Sequence, residues 1–273
     1  MAAEHSSIDP TPGTPKPDPV LVMHGVTRSF GGLVAVDVEH LEIQRHTVTS
    51  LIGPNGAGKT TLFNVLSGFD DANSGEWHLN GGALVGIPAH AVARRGMVRT
   101  FQLTRSLSRL TVLENLLVAD QHNPGERLRG ALLGGWSKAE ADATDRALAL
   151  LDRFGLAKMA DDYAGSLSGG QRKLLEVARA LMVDPEVIML DEPMAGVNPA
   201  LTQSLLRHIQ DLRDDGKTVI FIEHDMDVVQ EISDWVVVLA EGAVIAEGPP
   251  GTIARDRAVI DAYLGAHHGE AAG

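Results

Sequence analysis

The 273-residue sequence predicts an α/β fold with a mostly parallel sheet core, an antiparallel β subdomain and an α-helical lobe. Three observations predict it. Short apolar runs alternate with segments of helical period on both sides of residues 111–165. The glycine-rich stretch GPNGAGKT, Gly53 to Thr60, stands between a strand-like run and a helix-like one. Residues 111 to 165 themselves lose the strand pattern and read as helices.

The elements follow in order. MAAEHSSIDPTPGTPKPDP carries five prolines before Val20 and neither the basic start nor the apolar stretch of a signal peptide, so residues 1–19 are expected to be a disordered tail. VLVMHGVTRSF and LVAVDVEHLEI are strand-like and meet at Gly31-Gly32, a hairpin signal. TVTSLIG is a short apolar strand, and KTTLFNVLSG is a helix closed by Gly68. GEWHLNG returns as a strand, with a helix near PAHAVARRG and a strand near MVRTF. The helical lobe, about 103–183, contains TVLENLLVADQ and SKAEADATDRALALLDRFG. Alternation resumes with VIMLD, PALTQSLLRHIQDLRDD, TVIFIEH and MDVVQEIS, then the strands WVVVLAEG and AVIAEG and a helix around RAVIDAYL. One domain over 20–265 and a flexible tail over 266–273 are expected.

Composition narrows the function. A net charge of −13 argues against a nucleic-acid partner, because neutralising phosphates takes a basic face. There is no cysteine, hence no disulfide framework and no thiolate metal site. No apolar run approaches the ~18 residues that span a bilayer, so any membrane role is peripheral.

GPNGAGKT fits G-x-x-x-x-G-K-[ST] in the strand–loop–helix context that the motif needs. Gly53, Pro54, Asn55, Gly56, Ala57, Gly58, Lys59, Thr60 and Thr61 are therefore candidates for binding the phosphates of a nucleotide. The glycines let backbone N–H groups wrap the β-phosphate, and the helix N-terminus adds a favourable field. Lys59 is expected to reach the β- and γ-phosphates and Thr60 to ligate Mg²⁺. VIMLDE ends a buried strand in two carboxylates, placed where ligands bind in such sheets. Asp191 is expected to hold Mg²⁺ through water, and Glu192 to polarise the attacking water as general base. In SLSGGQ, Ser168 stands where an N-cap belongs, and Gly169 and Gly170 keep side chains away from a second anion. A plain N-cap explains the serine, but not two glycines and Gln171 in that order.

This set resembles the nucleotide-binding subunit of an ATP-binding cassette (ABC) transporter over nearly all of residues 20–265. The order matches: the phosphate loop, RTFQ with Gln102, LSGGQ, the strand acids, and IEHD with His224. The resemblance implies that Ser168, Gly169, Gly170 and Gln171 close on ATP held by a second subunit, head to tail. It implies that Gln102 meets Mg²⁺ and the attacking water, that His224 hydrogen-bonds the γ-phosphate, and that Phe30 stacks on adenine. Asp225 and Asp227, beside His224, read as a helix start rather than as metal ligands. GPNGAGKTTLFNVLSGF, ARRGMVRTFQL, LTVLENLLVA, EPMAGVNP, IEHDMDVV and VIDAYLG closely resemble Liv-type importers of branched-chain amino acids. Many cassettes carry an aspartate in the loop after the glutamate, whereas this chain has Asn198, a good N-cap with Pro199 following.

The implied cofactors are ATP and Mg²⁺. The implied partners are a second ABC ATPase subunit, identical or related, integral membrane permease subunits and, indirectly, an extracellular solute receptor. The implied location is cytoplasmic, on the inner face of the cell membrane. Cassettes serving urea, amides or lipid export share much of these motifs. Non-transport ABC ATPases of chromosome maintenance place very long coiled coils between the two glycine motifs, where this chain has 109 positions from Lys59 to Ser168.

Overall fold

The computed structural model describes residues 8–100, 107–120 and 136–270. The chain divides into two compact units. The first comprises Met1–Arg99, Glu186–Pro193 and Ile209–Gly273, and the second Thr100–Pro185 and Met194–His208.

The first unit contains two sheets. β1 (Pro19–Phe30) and β2 (Leu33–Gln44) form the hairpin expected around Gly31, whose φ of 60° suits glycine. With β4 (Ser74–Leu79) and β5 (Gly82–Ala83) they make an antiparallel sheet in the order β2-β1-β4-β5. The second sheet runs β10-β9-β3-β8-β7-β6 and uses β3 (Val48–Ile52), β6 (Met97–Arg99), β7 (Val187–Asp191), β8 (Thr218–Ile222), β9 (Trp235–Ala240) and β10 (Ala243–Gly248). All its pairings are parallel except β10 on β9. β3 and β8 are buried at every position, which is why VTSLI and TVIFI read as unbroken apolar or hydroxyl runs rather than alternating ones. A shared core holds Leu21, Val36 and Trp77 of the first sheet with Leu51, Ile222 and Val237 of the second and Phe63 of helix α1 (Lys59–Leu66). The small helix α2 (Ala89–Arg94) precedes β6.

The second unit is helical. α3 (Val112–Leu117) opens on a capping box between Thr111 and Glu114. α4 (Trp136–Arg153) buries Ala143, Ala147 and Leu151, and α5 (Gly169–Leu181) buries Leu174, Leu175 and Ala178. α6 (Pro199–Asp214) begins at Asn198, whose Oδ1 accepts a hydrogen bond from the Leu201 amide at 3.0 Å, the capping role expected of it. Helices α7 (Met226–Ile232), α8 (Pro250–Ile253) and α9 (Arg257–Glu270), like α6 from Ile209 onward, belong to the first unit.

Two expectations at the chain ends need correction. The proline-rich segment is not a loose tail from Ile8 onward. Lys16 Nζ donates to Glu247 Oε2 at 2.7 Å and stands 4.1 Å from the Trp235 ring centre, while the Thr14 amide donates to Glu247 Oε1 at 3.1 Å. Trp235 Nε1 completes the set at 2.8 Å, and the Glu247 side chain is fully buried. Local composition reports only that the segment cannot form a ladder. It is blind to a cation that meets its carboxylate 231 residues away. At the other end, helix α9 continues through Glu270, into the stretch expected as tail.

Candidate active site

In the second sheet β3 lies beside β8, and β8 beside β7, all parallel. Their carboxyl ends are therefore neighbours, and each is followed at once by the polar residues singled out above. Gly53 to Lys59 follow β3, Glu223 and His224 follow β8, and Asp191 and Glu192 close β7. Sheet order alone thus brings three distant stretches of sequence to one edge.

The phosphate loop is built to approach another group closely. A Cβ on Gly53 would collide with the Leu239 carbonyl and one on Gly58 with the Ala35 carbonyl, at φ of 148° and 97°. Gly58 is the N-cap of α1 and supplies no side-chain cap, so the first amides of the helix are left to an anion. Lys59 is buried and folds back over the loop, with Nζ donating to Gly53 O at 2.7 Å and Pro54 O at 2.9 Å. Burial pulls its pKa below the ordinary lysine range, while the charges of Glu192 and Asp191 oppose that shift.

Glu192 has a left-handed backbone, φ 47°, and its amide donates to Ile222 O at 3.1 Å. Such a conformation in a non-glycine residue costs on the order of 1 kcal/mol. It breaks the strand alternation after Asp191 and delivers the Glu192 carboxylate to His224, whose Nε2 lies 2.7 Å from Oε1. Asp191 Oδ2 instead accepts from Arg99 NH2 at 2.6 Å, and Arg99 NH1 donates to Asn64 Oδ1 at 2.6 Å. Asp225 caps α7 through its side chain, accepting from the Asp227 amide at 2.9 Å, as expected of a helix start.

A cleft of about 710 Å³ gathers Phe30, Asn55, Gly56, Ala57, Gly58, Lys59, Thr60, Thr61, Glu192 and His224. Phe30 is half exposed there, with the Arg28 guanidinium 4.5 Å from its ring centre. Ser168, Gly169, Gly170 and Gln171 belong to the second unit and are not among the residues lining this cleft. There Ser168 caps α5, accepting from the Gln171 amide at 3.3 Å, and Gln171 Oε1 accepts from the Ser168 amide at 2.9 Å. Gln102 lies outside the described residues.

The cleft also has walls that sequence reasoning did not assign: Leu33, Val34, Ala35 and Glu241. The available signal was an apolar pair, Leu33 and Val34, directly after the hairpin glycines, at 68% and 48% exposure. Arg99 was missed too, although it opens the quoted RTFQ.

Comparison with known proteins decides what kind of site this is. The family model for ABC transporters matches residues 36–195, which contain the phosphate loop, SLSGGQ and both strand acids. This chain belongs to the ABC transporter family. The cassette is also matched over residues 243–269 by the model for the branched-chain amino acid ATP-binding cassette transporter, a stretch that includes most of α9. It is 43% identical to BraF, the high-affinity branched-chain amino acid transport ATP-binding protein of Pseudomonas aeruginosa, over 90% of this chain and 98% of that one. It is 40% identical to a probable branched-chain amino acid transport ATP-binding protein, LivG, of Archaeoglobus fulgidus, over 92% and 97%. Among solved structures it resembles the ADP conformation of an ATP-binding cassette of an ABC transporter, with a TM-score of 0.80 and 36% identity over 90% of this chain and 99% of that one. The cassette is thus a nucleotide-binding ATPase of the ABC type, with the α/β architecture expected. No helix among the described residues is long and apolar enough to cross a membrane.

Proposed function

We propose that this cassette is the ATP-hydrolysing subunit of an importer of branched-chain or related amino acids, docked on integral membrane subunits at the cytoplasmic face. The observation that carries the reading is one cleft holding the phosphate-loop lysine with the Glu192–His224 pair. The relatives named for branched-chain amino acid transport, matched over nearly their whole length, support the choice of solute.

In the proposed cycle ATP enters with adenine on Phe30 and its phosphates on the loop from Gly53 to Thr61. A γ-phosphate competes for Lys59 Nζ with the two loop carbonyls that now accept from it, and for His224 Nε2 with Glu192. When His224 turns to the phosphate, the Glu192 carboxylate is released to take the proton of the attacking water. The water oxygen bonds to the γ-phosphorus as the bond to the β,γ-bridging oxygen breaks and ADP leaves. The donor set fits Mg²⁺: the Thr60 hydroxyl would be a hard oxygen ligand, the Asp191 carboxylate would hold the ion through water, and Gln102 is the further candidate. Bound there with the nucleotide, Mg²⁺ would offset charge on the β- and γ-phosphates. The resemblance of SLSGGQ to the cassette signature supports a second cassette, identical or related, as the source of the closing surface. Cassettes for other solutes share the same motifs and are the alternative.

The test is capture. Tagged Glu192→Gln protein, held with ATP and Mg²⁺, is purified from its native membranes and the accompanying chains are identified. Recovery of a second cassette with two multi-span subunits is expected, and the associated solute receptor names the cargo. Recovery with soluble proteins alone would overturn the transporter assignment.

A further inference from the structure

Arg99 has a side chain that is 7% exposed and stands against the Asp191 carboxylate. It ends β6, the edge strand, which pairs in parallel with β7 so that Arg99 lies in register with Met189, two residues before Asp191. Its guanidinium is held from both sides. NH2 donates to Asp191 Oδ2 and NH1 to Asn64 Oδ1, each at 2.6 Å, and the group stands 5.6 Å from the Phe63 ring centre. Asn64 and Phe63 belong to α1, the helix that Lys59 begins.

We propose that Arg99 is a positioning residue for the nucleotide-bound cation: a clamp that ties the Asp191 carboxylate to the phosphate-loop helix and presets its orientation. The inference rests on the ATPase reading above, with Mg²⁺ as the cation. A planar guanidinium engaged at both ends cannot swivel, so the carboxylate oxygen it grips is fixed relative to Asn64 and, through α1, to Lys59 and Thr60. The grip on the carboxylate includes Oδ2. Mg²⁺ tolerates little departure from its octahedral geometry, so an acceptor already held in place spares the ordering cost when the cation arrives. Partners that orient metal-binding side chains in this manner typically account for ten- to hundredfold in metal affinity. Arg99 also brings a fixed positive charge to the Asp191 carboxylate, which an acid-pairing role alone would explain. The bond to Asn64 is the part that charge neutralisation does not require.

The experiment measures binding of a fluorescent, non-hydrolysable ATP analogue to the full chain across a Mg²⁺ titration, against the same binding in EDTA. In the wild type Mg²⁺ is expected to tighten binding. In Arg99→Met the half-effective Mg²⁺ concentration is expected to rise about tenfold or more. Arg99→Lys restores the charge without the fork and is expected to keep most of that shift. Asn64→Ala retains both charges and frees one end of the clamp, so a shift of about threefold in the same direction is expected, and this variant carries the test if Arg99→Met does not fold. An unchanged Mg²⁺ dependence in these variants overturns the proposal, and so does a lower half-effective concentration, which would make Arg99 a competitor of the cation. A wild type whose binding ignores Mg²⁺ would instead overturn the Mg²⁺ assignment on which the proposal stands.

Discussion

His224 Nε2 lies 2.7 Å from Glu192 Oε1, and the two side chains remain 42% and 45% exposed. A pair that open to water contributes about 0–1 kcal/mol, so it orients the two groups rather than holding the fold. Glu192→Gln is therefore expected to change stability by less than about 1 kcal/mol. It should bind ATP normally and lose turnover by at least about 10²–10⁴-fold. Phosphate-release assays beside equilibrium binding check this, and turnover within tenfold of wild type would remove Glu192 as the base.

Lys59 gives a pH dependence with a definite sign. Burial lowers its pKa in the nucleotide-free chain, and phosphates would raise it again by favouring the charged form. Below the free-chain pKa both states carry the proton and affinity is flat. Above it binding must take up a proton, so affinity falls with rising pH, by up to tenfold per unit. Calorimetry in two buffers of different ionisation heat should detect proton uptake on the alkaline side. Proton release there would contradict the assignment.

Gly169 separates local from intermolecular demands. A Cβ at this position meets only the Gly196 carbonyl, at an ordinary 3.8 Å, and the residue is the first of α5. Gly169→Ala is expected to change stability by no more than about 0.5 kcal/mol. It should leave nucleotide binding by the isolated chain intact, yet weaken ATP-driven association and turnover. Sedimentation of the Glu192→Gln and Glu192→Gln/Gly169→Ala proteins with ATP compares the association directly. Equal association would show that the glycine serves only its own helix.

The fold was largely legible because its signals are local. VTSLI and TVIFI declare buried parallel strands, Gly31-Gly32 marks the hairpin, and Asn198-Pro199 marks a helix start. The phosphate loop and strand acids were legible for the same reason, since each needs fixed residues at fixed spacing. What escaped depends on partners far apart in the chain. Arg99 reaches Asp191 across 92 positions, and a single arginine in a strand carries no spacing signature. The apolar walls Leu33 and Val34 read simply as strand residues, because a local pattern does not say which face stays open.

The buried clasp at Lys16 bears on stability. Removing one partner of such a pair costs about 3–5 kcal/mol, because the other is left buried and charged. Lys16→Met is therefore expected to lower unfolding free energy by about 3 kcal/mol, with Glu247→Gln in the same chain recovering part of it. Urea denaturation of the three proteins measures both. A loss below about 1 kcal/mol for Lys16→Met would mean that Thr14 and Trp235 satisfy Glu247 without the lysine.

The same clasp sets an order on biosynthesis. Residue 16 leaves the ribosome 231 residues before its carboxylate partner. At 5–20 residues per second that is a wait of roughly 10 to 50 s, during which the strands of the amino-terminal hairpin can already pair. The clasp shuts only once β10 has been made. Until then Lys16 and Thr14 lack the carboxylate that holds them in the folded chain.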